Sequence, residues 1–344
     1  MIVRIPGIPN LDDDRSDKLR VIEHAINAFG EGKHILWMQR ALVEMLLDTE
    51  GLSDYHYRAL YKLKSYVRES KYLHESFVFH VEIDFDDKMC RQVEDGRFLR
   101  VGYGWLNDSS FWQKAKIIVE HVFDYQLYLK GSQVFLVKAG LFDSQDVKCN
   151  PHHGGGATTY DEFVRHLNED EPVLCIVDSD KSHPSGKLGG TAKRFNRFER
   201  GADGFGYLRI LDSREVENII PLDVVEEVIL RTSQNNYDNF NIVARHGCRP
   251  FFDHKCGLRK DDALALDHQC GSVYWEGVVE AREDADDWVC RGIGSDLSRH
   301  SLDAMNCCSV HKLAERTVEG VDDEWLSISQ LVASWGACLK NRVC

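Results

Sequence analysis

Asp178 and Asp180, one residue apart, follow five consecutive apolar residues, Val173 to Val177, and Lys181 comes next. A continuous apolar run bounded by polar residues predicts a strand buried on both faces of a parallel sheet, and Pro172 suits its first position. The pair is then expected at the strand's carboxyl end, where open α/β sheets keep their ligands. Residues i and i+2 of a strand lean to one side, so both carboxylates can address a single point. Adjacent anions repel unless a cation lies between them, and hard oxygen ligands favour Mg2+ or Mn2+. The alternative is a solvated Asp-Ser-Asp turn capping the next helix.

A second acidic pair lies upstream. Ile117 to Val119 form a shorter apolar run ending in Glu120; Val122, Phe123, Tyr125, Gln126 and Leu127 then read as a helix with Asp124 in its first turn. Between Lys181 and Arg200 stand six basic residues against one acid, with Gly186, Gly189 and Gly190 interleaved. The whole chain carries 42 basic and 56 acidic residues, a net charge of −14. That balance argues against coating nucleic acid with the whole surface, but a local reversal of sign beside an acidic cluster would draw a polyanion. Lys187, Lys193, Arg194 and Arg197 are the candidate nucleic-acid contacts; an ordinary solvated loop is the alternative. Gly154, Gly155 and Gly156 feed a helix start, where bare amides could hold a phosphate or simply form a mobile turn. Further on, Glu217 could complete a metal shell, orient Lys181 or pair with Arg214.

These residues need elements to position them. From Lys116 the pattern predicts strand 116–120, helix 122–130, strand 133–139, helix 158–167, strand 173–178, a long basic loop, strand 206–211 and helix 221–231, an alternation that implies a parallel sheet with right-handed crossovers. Residues 16–70 carry helical periodicity in three segments, read as an N-terminal bundle. Period two follows in 77–84 and 98–105, as a hairpin or two separate strands, with Glu82 and Asp84 on the wet face. Beyond 230, three His-x-Cys pairs (His246, Cys248; His254, Cys256; His268, Cys270) with Cys307, Cys308 and His311 suit either a structural zinc or buried free thiols. The acidic run 281–287 reads as solvated, and Trp325 to Trp335 as an amphipathic helix. The division is 1–110, 114–232 and 233–344. No apolar leader and no stretch of eighteen uncharged apolar residues occurs, so the expectation is a cytoplasmic protein, not membrane-bound, with its eleven cysteines reduced.

Over roughly residues 114–225 the order of motifs resembles the Toprim domain, in particular the Toprim nucleases of the overcoming-lysogenization-defect type and their relatives in bacterial antiphage systems. IIVEHVFD, GGGATT, CIVDSDK and REVENIIP carry the resemblance. His121 stands where glycine usually follows the first acid. His183 stands where the topoisomerase form DxDxxG has glycine, which moves the likeness towards the nuclease branch. The resemblance implies an α/β fold, a Toprim-like parallel sheet flanked by helices, with an N-terminal helical region and a mixed C-terminal region. It implies that Glu120, Asp124, Asp178 and Asp180 ligate divalent metal and that Lys181 is the basic residue near the scissile phosphate. In such a site two ions about 3.5–4 Å apart polarise the phosphate and stabilise attacking and leaving oxygens. Asp178 is the expected shared ligand, Asp180 the ligand of one ion, and Glu120 and Asp124 those of the other. The implied function is a metal-dependent endonuclease acting on DNA or RNA as an antiphage effector. The resemblance further implies an ATPase or another defence component as the partner that holds it inactive; the chain itself has no G-x4-G-K-[ST] loop. The alternative is a non-catalytic Toprim-like scaffold or sensor subunit. A haloacid-dehalogenase-like phosphatase ranks last, because its DxD strand comes first in the domain and here it comes third. Oligomeric state stays open.

Overall fold

Short runs of buried apolar residues become the inner strands of two five-stranded sheets in the computed structural model, which describes residues 1–282 and 286–343. Residues 283–285 of the acidic run lie outside the described residues, as does Cys344. The first sheet contains β1 (Ile2–Ile5), β2 (Ile35–Met38), β3 (His80–Asp84), β4 (Arg91–Glu94) and β5 (Phe98–Gly102) in the order β2-β1-β3-β5-β4. Only β4 is antiparallel to its neighbour. The segments around 80 and 100 are therefore separate parallel strands, not a hairpin. The three expected helices are present as α1 (Arg15–Gly30), α2 (Arg40–Leu47) and α3 (Asp54–Ser70). They do not form a bundle of their own. Val21, Ile22, Ile26 and Phe29 of α1 and Leu60 and Leu63 of α3 join the strands of this sheet in one core.

The second sheet organises the rest. In chain order come β6 (Lys116–Val119), α4 (Val122–Lys138), β7 (Gln145–Val147), β8 (Asn150–His153), α5 (Thr159–Asn168), β9 (Val173–Val177), α6 (Gly190–Arg194), β10 (Gly201–Asp203), β11 (Gly206–Ile210), α7 (Val216–Ile219) and α8 (Leu222–Thr232). The strand order is β10-β11-β9-β6-β8, parallel except for β10. Both faces of this sheet are covered. Ile117 and Val119 of β6, with Leu174 and Ile176 of β9, enter the main core beside Leu127 and Val134 of α4. The alternate residues Ile118, Val173, Cys175 and Val177 enter a smaller cluster with Phe163 of α5 and Phe195. That two-sided burial is why β9 reads as an unbroken apolar run.

Two expectations are corrected here. Residues 133–138 are not a strand but the last third of α4. Gly131 and Ser132 do not break the helix, because a Cβ at Gly131 would meet Ser329 and Trp325 of a helix packed across it. The strand that pairs beside β6 is instead β8, which contains Pro151 and two histidines. As the sheet's edge strand it tolerates a proline and has little apolar pattern.

The C-terminal residues supply α9 (Tyr237–Arg245), β12 (Gly257–Arg259), α10 (Lys260–Cys270), α11 (Glu276–Glu280), β13 (Trp288–Arg291), α12 (Leu297–Asn306), α13 (Val310–Arg316), α14 (Asp323–Gly336) and β14 (Ala337–Leu339). The expected final helix is α14. It lies along α4, burying Trp325, Ile328, Leu331 and Trp335, and β14 pairs antiparallel with β7. Among the described residues, no helix is long and apolar enough to cross a membrane.

Candidate functional site

β6 is the point where the second sheet changes direction. The chain leaves β6 for β8 on one side, then passes over to β9 on the other. Such a switch point opens a crevice at the carboxyl ends of the strands. Glu120 follows β6 and Asp178 follows β9, so adjacent parallel strands deliver both acids into it. The backbone N–H of Asp178 donates to Glu120 Oε1 at 3.3 Å.

Asp124 arrives from the first turn of α4. One of its oxygens accepts from the His121 N–H at 2.8 Å and closes a capping box, which leaves the other free. Glu217, on the short α7, is buried, and its Oε1 accepts from Ser298 Oγ of α12 at 2.5 Å. Glu120, Asp124, Asp178 and Glu217 line one cleft of about 490 Å³, with Gly156, Lys255, Ser298 and Arg299. Four of the five residues expected as metal ligands are thus brought together from four different elements.

Asp180 stands apart at the rim. It is exposed and left-handed, with φ +54, and its N–H donates to the Arg214 carbonyl at 2.8 Å. A Cβ on Gly189 would overlap its carboxylate. Its charge nonetheless reaches Glu120. Lys181 is half-buried beside it and does not line the cleft.

The cations that do line the cleft are Arg299 of α12 and Lys255, which directly follows His254. The Lys255 ammonium lies 2.8 Å from Glu215 and 3.8 Å from Glu217. Glu215, an acid absent from the expected ligand set, is buried at the start of α7. Nothing in the sequence marked Lys255: it sits between a histidine and a cysteine that drew attention as zinc ligands. Arg299 was unmarked for a different reason, as an isolated cation on an ordinary amphipathic helix.

The acids work against one another. Burial pushes the Asp178 carboxyl well above the carboxylate range, and the charges of Asp124, Glu120 and Glu217 push it further. Asp124 is raised to about 7, by burial first and then by Glu217 and Glu120. Glu120 and Glu215 also rise, chiefly through burial. For Lys255, burial pulls the ammonium down, but Glu217 and Glu215 outweigh it and the net direction is upward. Glu217 Oε2 and Glu215 Oε1 are buried with no hydrogen-bond partner. An all-oxygen, electron-rich set with an unpaired buried oxygen on Glu217 fits a hard divalent cation. The residues that would hold it are Glu120, Asp124, Asp178 and Glu217.

Among the described residues, the sets of three ligand atoms that close to within 4.8 Å are elsewhere: His152, Glu162 and His166, and His166, Glu169 and Glu171. The acidic cluster is more open than those sets, which suits ions completed by water and substrate oxygens. The His-x-Cys pairs do not assemble in this way. His254 is fully buried between Phe240 and Phe252, and His246 and His268 are exposed. The ten cysteines among the described residues are free.

In the basic stretch after Asp180, Lys187, Lys193 and Arg197 are exposed. Arg194 is engaged: it pairs with Asp161 at 2.8 Å, donates to the Ala157 carbonyl and covers the Tyr160 ring. The glycine run forms the turn before α5, with Gly155 and Gly156 at positive φ. A Cβ on Gly156 would stand 3.8 Å from Glu120 Oε2, so this turn is a wall of the cleft.

Compared with protein-family models, with curated proteins and with solved structures, the chain has no match.

Proposed function

We propose that the chain is a Toprim-type, divalent-metal-dependent endonuclease. The observation that carries this reading is the convergence of Glu120, Asp124, Asp178 and Glu217 at the switch point of a parallel sheet, with the Asp178 N–H on the Glu120 carboxylate. Mg2+ or Mn2+ bound there would polarise a phosphodiester and generate the attacking hydroxide. The protein's own part is electrostatic and positional. The four acids hold positive charge in place, and Lys255 and Arg299 face the space a phosphate would take. Lys187, Lys193 and Arg197 offer exposed positive charge to the polyanion outside the cleft. Asp180, exposed at the rim, would join the ligand set when substrate and ion are bound. The antiphage role and restraint by an ATPase or another defence protein rest on the resemblance, a cytoplasmic setting on the irregularly spaced cysteines, and all three extend this proposal.

The test is cleavage of plasmid, single-stranded DNA and total tRNA with Mg2+ or Mn2+, by the wild type and by Asp178→Asn. We expect divalent-dependent cleavage of at least one substrate. The substitution should lower the rate by about 100-fold or more while the circular dichroism spectrum is unchanged. A folded Asp178→Asn chain that cleaves at the wild-type rate would overturn the assignment. Absence of cleavage in both chains on every substrate, without and with cell extract, would favour the non-catalytic scaffold.

A further inference from the structure

We infer that His152, Glu162 and His166 form a second metal site, separate from the acidic cleft and suited to a zinc-class ion. Glu162 and His166 are four residues apart on α5 and so share one face of the helix. His152 stands on the edge strand β8, and its ring meets that of His166 at 4.7 Å between centroids. One ligand atom from each of the three lies within 4.8 Å of the others. Two imidazoles and a carboxylate are a borderline donor set. Zinc takes it with three protein ligands and leaves one position open, whereas Mg2+ prefers the all-oxygen cleft.

The surroundings fit that use. His166 is buried and its Nδ1 lies 2.6 Å from Glu171 Oε2, while Glu171 is itself held by Lys116 at 2.6 Å. A carboxylate on one ring nitrogen fixes the tautomer and turns the other nitrogen, here Nε2, towards the metal position. Nε2 stands 3.8 Å from Glu162 Oε2. The group now in that space is Arg165, whose guanidinium lies 2.7 Å from Glu162 and 3.1 Å from His166 Nε2. Arg165 is about half exposed and already has a second partner, Glu169 at 3.2 Å. It can therefore swing outward without losing its ion pair. Asn150, 3.4 Å from His152 Nε2, is exposed and can yield in the same way.

An ion there would clamp β8 to α5, the two elements joined by the Gly154–Gly156 turn that walls the cleft beside Glu120. Its occupancy would set how firmly that wall is held.

The test is Co2+ titration of the full chain followed by visible absorption, with Zn2+ competition. Four-coordinate Co2+ absorbs strongly, and an ion in the oxygen cleft does not. We expect one strongly absorbing site displaced by Zn2+, retained in Asp178→Asn and weakened by about tenfold or more in His152→Ala and in Glu162→Gln. Arg165→Ala should bind at least as tightly as wild type. Should His152→Ala fail to fold, Glu162→Gln, on the half-exposed side, carries the comparison. The inference is overturned if wild type has no such site, if Glu162→Gln leaves its affinity unchanged, if Asp178→Asn abolishes it, or if Arg165→Ala weakens it.

Discussion

At the scale of single residues, the cleft is a place where the folded chain works against its own charge. Asp124 is buried, and burial together with Glu217 and Glu120 raises its carboxyl to about 7 from an ordinary value near 3.8. Between those two values the folded state holds a proton that the unfolded state has released. Its contribution to stability is therefore full below about pH 4, falls as pH rises and is gone above about 7. Asp178, raised in the same direction by burial and the same neighbours, adds to the trend. Carboxylates held low by cations elsewhere, such as Glu44 beside Arg40 and Lys64, slope the other way, so the informative quantity is a difference between variants. Asp124→Asn should be less sensitive than wild type to raising the pH from 4 to 7, by at most about 4 kcal/mol. Mn2+ should stabilise wild type at pH 7.5 and stabilise Asp124→Asn less. Denaturant midpoints at the two pH values, with and without Mn2+, check both statements. A wild-type profile that matches Asp124→Asn would mean the acid is not desolvated as described.

At the scale of elements, what was legible was whatever left a one-dimensional pattern. β9 is buried on both faces and showed as an apolar run ending in acids, and β6, α5, β11 and α8 were legible for similar reasons. β8 was not, because an edge strand made of Asn150, Pro151, His152 and His153 has no apolar signature. The end of α4 was misread because Gln133 to Lys138 is apolar enough for either period, and only α14 decides between them. β1 and β2 hid for a different reason: four-residue segments, Ile2–Ile5, which Arg4 interrupts, and the apolar Ile35–Met38, are too short to separate from helix starts. Lys255 was invisible because its meaning depends on Glu215 and Glu217, some forty residues earlier in the chain. The α4–α14 contact is also where an element-level test belongs. Gly131 gives Ser329 and Trp325 room to approach, and an added methyl there would strike the Ser329 hydroxyl and lie 3.1 Å from the Trp325 ring. Gly131→Ala gains helix propensity, worth about 1 kcal/mol, but overpacks a buried crossing at a cost of about 1–3 kcal/mol. The expected result is a net loss of thermal stability with the cleft acids in place. A stabilised variant would mean that the two helices part easily.

At the scale of the whole molecule, the two sheets are joined through one apolar core. Trp335 of α14 stacks on Phe79, which precedes β3, with ring centroids 5.4 Å apart, and meets Tyr207 of β11 edge-on at 6.2 Å. Phe205, just before β11, packs against Trp105 from the first region and Phe111 from the segment that leads to β6, and Arg91 of β4 pairs with Asp170 at 2.6 Å. The cleft is thus carried by a body that includes the N-terminal sheet, and that body is acidic, with a net charge of −14. A polyanion is repelled at long range by most of this surface and attracted by the stretch from Lys181 to Arg200. Salt screens both terms, over about 8 Å at physiological ionic strength, but short-range phosphate contacts additionally release counterions from the nucleic acid. If Lys187, Lys193 and Arg197 each neutralise one phosphate, replacing all three with glutamine should flatten the dependence of log affinity on log salt by up to about 3. Arg194, tied to Asp161 and the Ala157 carbonyl, should contribute less to that slope. The measurement is fluorescence anisotropy of a labelled oligonucleotide in Ca2+, to bind without cutting, from 50 to 300 mM salt. An unchanged slope in the triple variant would place the nucleic-acid track elsewhere, with Arg299 and Lys255 at the cleft mouth the next cations to replace.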